Sequence, residues 1–170
     1  MKKSLVLFLA AMFAFGTAAF AQKTVKIGHI NSSDLMQIMP GKDSAQAAFE
    51  AEVKVVEGEL KAMQDELQAK YNDYQERRNN MTELIRTTKE QEIRDLDTRI
   101  QTYQQNAQQK LREKETELLQ PIIDRAKQAI ADVAKENGYT YILDTSAGTV
   151  LYQQEGDDIL ALVKKKLGLK

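Results

Sequence analysis

Residues 49–74 read FEAEVKVVEGELKAMQDELQAKYNDY, and residues 93–118 read IRDLDTRIQTYQQNAQQKLREKETEL. In the first stretch apolar residues recur at Phe49, Val53, Val56, Leu60, Met63 and Leu67, in steps of 4, 3, 4, 3 and 4. This is a heptad seam, the mark of a helix packed along its length against another. Tyr71 and Tyr74 continue it after a slip, which reads as a stutter. The second stretch gives Ile93, Leu96, Ile100, Tyr103, Ala107, Leu111 and Leu118, starting 3, 4, 3, 4 and then slipping in the same way. Between Gly41 and Pro121 there is no proline and one glycine, Gly58. Ala, Glu, Lys, Gln, Leu and Arg, all good helix formers, fill the interval.

The piece Glu76 to Thr82 has no seam and contains Asn79-Asn80, residues that tolerate turns. Asn80 with Glu83 fits a capping box. The spacing therefore predicts two antiparallel helices joined near 78–82, each of roughly 38 residues and about 57 Å. One unbroken helix of about 120 Å in a parallel coiled coil is the alternative. So thin a seam predicts an arm that bends and frays at its tip, and that needs a root.

The root is encoded on both sides. Val25-Lys26-Ile27-Gly28-His29-Ile30 alternates like a strand, with Val25, Ile27 and His29 on one face. Polar residues 31–34 offer several N-caps for a short helix over Leu35 to Met39, stopped by Pro40-Gly41. Asp43 with Gln46 can cap the arm. After the arm, Pro121 is expected to kink or break the helix. Ile122, Ile123, Ala126, Ile130 and Val133 then make a richer apolar face, ended by Asn137-Gly138. Tyr139 to Leu143 reads as a strand, and Thr149 to Tyr152 as a second. A last helix follows, with Asp157 as its cap and Asp158 favouring its start. The expected fold class is α+β, mostly α: a small β-rich body, residues 22–41 with 121–170, and an antiparallel helical hairpin, residues 42–120, inserted between strands. Val25, Ile27, Ile142 and Val150 are the candidate core of the body or of its self-association.

The first residues read as a secretory signal peptide cut after Ala21: Lys2-Lys3, an apolar run from Leu5 to Phe15, then Ala19-Phe20-Ala21. That run is too short to span a bilayer, so no stable membrane insertion is expected. The whole chain has a net charge of −1, and without Lys2 and Lys3 it has −3, which is not a nucleic-acid binder's balance. There is no cysteine, so no disulfide supports the fold. About half of what remains lies in the arm. The body is too small to be secure alone, and oligomerisation is the expected remedy.

Signals for chemistry are weak. His29 is the only histidine, and no motif supplies it with a partner or a nucleophile. Asp144 and Ser146 suit a turn. Asp157-Asp158 suits a helix start. No phosphate loop, zinc spacing or calcium loop is present, so no cofactor, no metal and no enzymatic activity are expected. Tyr71, Tyr74 and Tyr103 read first as packing between the arm helices. Arg77, Arg78 and Arg86 near the tip are interleaved with Glu76 and Glu83, as at a solvated end.

This plan resembles the Skp/OmpH family of periplasmic chaperones. The residues that carry the resemblance are Val25 to Ile30, the segment Arg99-Ile100-Gln101, and above all Pro121-Ile122-Ile123 leading through Ala129 to Ala134 into Gly138 to Asp144. The resemblance implies a jellyfish-like homotrimer: three bodies form a β-rich hub, and three hairpins hang from it as tentacles. Unfolded outer-membrane proteins would be held between the tentacles, without ATP, before membrane insertion. Tyr71, Tyr74, Met81 and Leu84 are then the candidate client contacts, Met81 because methionine adapts to many shapes. The best-known members have strongly basic tentacles, whereas residues 42–120 here carry 13 basic and 17 acidic side chains. The resemblance is therefore not extended to lipopolysaccharide contact. A periplasmic coiled-coil spacer or adaptor, binding one folded partner at its tip, is the alternative function.

Overall fold

The computed structural model describes residues 25–153 and 155–169. The signal-peptide reading of residues 1–21 lies outside them. Strand β1, Ile27–Ile30, pairs in parallel with β2, Tyr141–Asp144, in the register Ile27↔Tyr141 to Ile30↔Asp144. All the long helical sequence lies in the crossover between these two strands. Helix α1, Ser32–Gln37, starts where the Asn31 side chain accepts the N–H groups of Ser33 and Asp34 at 3.0 and 3.3 Å. Helix α2 spans Lys42–Arg77 and α3 spans Glu83–Glu136; a 3-10 turn over Arg78–Asn80 joins them. Helix α4 is Leu160–Leu167.

The two long helices run antiparallel, because Glu59 meets Tyr103, Lys70 meets Glu92 and Tyr74 meets Glu90. Along α2 the half-buried positions include Phe49, Val53, Val56, Leu60, Met63, Leu67, Lys70 and Tyr74. The 4, 3 alternation thus continues without the expected stutter at Tyr71. Lys70 holds that slot, and Tyr71 is turned out and 48 % exposed. A lysine can line a seam because its stem packs while its amine reaches outward. Apolarity alone could not reveal this.

Several expected local features differ. Helix α2 begins behind Gly41, whose φ of 92° only glycine adopts easily; no side chain caps it. Asp43 sits in the first turn, where it complements the dipole, and Gln46 instead bonds Glu50 at 2.9 Å. Thr82 rather than Asn80 caps α3, accepting the Ile85 N–H at 3.4 Å. Pro121 does not break α3. Its ring lies on the exposed side, and the buried Ile122, Ala126, Ala129 and Val133 hold the following turns against the body. Asp157 belongs to a short 3-10 turn, and Asp158 accepts the Leu160 N–H at 2.8 Å. Thr149 to Tyr152 form no strand. The edge of β1 away from β2 is already used: His29 bridges Asp158, and its carbonyl accepts the Ile159 N–H at 3.0 Å.

The core of the body joins Ile30 of β1, Leu35 of α1, Ala45 at the root of α2, Ile122 to Val133 of α3, and Ile159 with Val163 of α4. Leu35, Ile159 and Val163 are completely buried. This core covers one face of the sheet only. Ile142 packs against it, but Val25 and Ile27 lie on the other face and are exposed, so they are not part of the protomer's own core. Val150 is half-buried in the irregular segment.

Candidate functional site

Three regions bear on function: a serine–aspartate cluster, the bare face of the sheet, and the far end of the arm. The cluster lies where β2 ends. Ser32 donates its hydroxyl to Asp144 at 2.6 Å and its N–H at 3.2 Å, and Ser146 donates its N–H at 2.9 Å. Partial burial alone would push the Asp144 carboxyl up. The hydrogen bonds from Ser32 and Ser146 outweigh it and hold the group down at about 2. A carboxylate so weakly basic is a poor general base at neutral pH, and Ser32 donates to it without being activated. The cluster ties β2 to the start of α1. His29 is 5 % exposed inside the body, beyond a substrate's reach. Among the described residues no group of His, Cys, Asp and Glu could hold a metal. No described helix is long and apolar enough to cross a membrane.

A cleft of about 320 Å³ opens beside the cluster, between the sheet, α1 and α3. Leu35, Met36, Ala126, Ile130 and Ile142 line it, with Lys127 at its rim. On the opposite side no described helix lies over Ile27, Tyr141 and Leu143, although His29 on that same face is buried. Val25, Ile27, Tyr141 and Leu143 are each between 43 and 61 % exposed there, and Leu151 and Tyr152 in the following segment are more exposed still. Large apolar side chains exposed in such number on a small body mark an interaction face.

The far end of the arm holds the candidate contact residues, each in a different setting. Tyr71 edges a groove of about 460 Å³ with Leu67 and Ile93 on the flank of the arm. Tyr74 is half-buried in the seam and donates its hydroxyl to Glu90. That bond, then burial and the charge of Glu90, raise its pKa. Met81 is half-buried at the turn, and Leu84 is 78 % exposed just after it. Tyr71 and Leu84 therefore face solvent and Tyr74 does not. Ile85, 46 % exposed, escaped the sequence reading. Its position after a helix cap, off the seam period, is the signal that would have found it.

The profile of the family described as outer membrane protein (OmpH-like) matches residues 26–167. The chain belongs to the OmpH-like family. That family is one of chaperones, not of enzymes. Among solved structures, an OmpH-like protein of Caulobacter crescentus CB15, described as an inferred outer membrane chaperone, superposes with a TM-score of 0.71. The two are 15 % identical, and the match covers 84 % of this chain and 83 % of that one. At that identity the likeness is one of fold. No curated protein matches the sequence.

Proposed function

We propose that this OmpH-like chain is an ATP-independent holdase of the periplasm. It assembles as a homotrimer through its body, and its arms enclose unfolded outer-membrane proteins until they are inserted. The observation that carries this reading is the arm. Two helices of 36 and 54 residues pair over most of their length and leave Tyr71, Leu84 and Ile85 in solvent far from any core. Such side chains offer many weak apolar contacts and no site for chemistry. An unfolded barrel strand exposes apolar side chains and unpaired backbone edges, both prone to aggregate. Several arms can hold it by avidity while each contact stays weak enough to release it. The exposed Val25, Ile27, Tyr141 and Leu143 on the sheet support assembly through the body.

The exposed Leu84 beside the turn also suits an adaptor that binds one folded partner at its tip. Turbidity of refolding outer-membrane barrels separates the two readings. A holdase suppresses aggregation of several unrelated barrels at a near-stoichiometric amount of trimer; an adaptor leaves the turbidity unchanged.

A further inference from the structure

The arm is not uniform along its length. Leu96, Ile100 and Ala107 are 3, 5 and 6 % exposed, and all lie in its middle. From 67 to 93 no described side chain is buried to that degree. Seam positions there hold charged or polar groups. The Lys70 amine sits 3.3 Å from the Glu92 carboxylate, which Lys89 shares at 3.4 Å, and Glu66 lies 3.9 Å from the same amine. Tyr74 bonds Glu90. Arg86 pairs with Glu83 at 2.8 Å, yet its Nε is buried and makes no hydrogen bond.

Each of these features lowers the cost of local opening. Opening free energy follows buried apolar contact. Charge pairs this exposed are weak and are screened by salt. A buried donor without a partner favours the state in which water reaches it. The turn at Arg78–Asn80 ties the two helices together at the far end. Opening there means unwinding from the tip inward, and helix that loses its packing is marginal in water.

We infer that residues 67–93 open as a unit separate from the middle of the arm, with the Lys70–Glu92 contact as the catch. On the holdase reading, on which this consequence rests, opening adds Leu67, Tyr74 and Ile93 to the exposed Tyr71, Leu84 and Ile85. The distal third then grips apolar side chains of an unfolded client over a surface that the closed arm does not present.

Amide hydrogen exchange on the assembled full chain tests this without a client. Amides of 67–93 should exchange at least roughly tenfold faster than those of 96–107, and about twofold faster again on going from 0.05 to 1 M NaCl. Glu92→Gln should speed exchange of the distal third by about threefold. Replacing Lys70 and Glu92 together by Leu should slow it by about tenfold and leave 96–107 unchanged. The same double variant should suppress barrel aggregation less well. Equal exchange along the whole arm overturns the inference, whatever the turbidity assay says. Slowed exchange with full suppression overturns the gripping role. A wild-type chain that shows the exchange gradient but fails to suppress aggregation supports the opening unit and overturns the holdase reading.

Discussion

Ser32 and Asp144 stand 112 residues apart in the sequence and are joined by two hydrogen bonds, one from the serine hydroxyl at 2.6 Å and one from its N–H at 3.2 Å. The contact closes the crossover that carries the arm. Its acid dependence has a definite sign. The Asp144 carboxyl is held at about 2, below its ordinary 3.8, so its contribution is present above pH 3.8 and is lost as pH falls toward 2. The side chain is largely exposed, and solvent screening limits that contribution to about 1 kcal/mol. Asp144→Ala should lower the melting temperature at pH 7 by about 2–4 °C. The difference from wild type should shrink to a small remainder by pH 2, where the folded-state carboxyl is half protonated. A gap that persists there undiminished would mean that Asp144 acts by packing rather than by charge.

Gly28 faces the ring of Tyr139. A Cβ at position 28 would stand 2.8 Å from Tyr139 Cε1 and 3.0 Å from Ile142 Cδ1. The ring packs against the core of the body, with the Lys26 amine 4.0 Å from its centroid, so it yields little. Gly28→Ala should therefore cost about 1–3 kcal/mol. Adding Tyr139→Ala should recover part of the loss, because it removes the obstructing atoms. Urea melts of the single and double variants check this; a double variant with simply additive losses would place the strain elsewhere.

In the arm the order of two substitutions is predicted. Leu96 is 3 % exposed between the helices, and Leu96→Ala should cost about 2–5 kcal/mol. Tyr103 donates its hydroxyl to Glu59 at 2.7 Å in an exposed setting. That bond raises the phenol's pKa, followed by burial and the charge of Glu59. Tyr103→Phe keeps the ring and should cost less than about 1 kcal/mol. Helicity measured against urea ranks the two. The reverse order would mean that polar bonds, not apolar burial, hold the middle of the arm.

The periodic parts of this fold were legible and the polar exceptions were not. Leu60, Met63, Leu96 and Ile100 announce their packing by spacing alone. Lys70 does not, because an amphipathic side chain reads as surface until its partner Glu92 is located. Thr82 and Asn80 are both acceptable caps, and the turn geometry decides between them. Strand propensity in Thr149 to Tyr152 is local and is not matched by any pairing in the protomer; the outer edge of β1 is taken instead by Asp158 beside His29. Of the four expected contact residues, Tyr71 and Leu84 are exposed, Tyr74 is turned into the seam, and Met81 lies between these extremes.

Ile27 and Tyr141 are paired across the sheet and are 46 and 61 % exposed, on the face opposite the core. Helices cover the other face and hold the sheet in the protomer, so these exposed side chains are left for an assembly to bury. If copies of this chain cover that face, a charge placed on it is buried unpaired in the assembly but solvated in the single protomer. Ile27→Asp and Tyr141→Asp should each shift sedimentation at micromolar concentration toward the monomer, because an uncompensated interfacial charge costs several kcal/mol. The far-ultraviolet spectrum should stay helical, since Leu35, Ile159 and Val163 on the covered face are untouched. Leu84→Asp, at the other end of the molecule, should leave the assembly intact. An unchanged sedimentation coefficient for both sheet variants would remove this face as the assembly surface, and with it the hub from which the arms are proposed to hang.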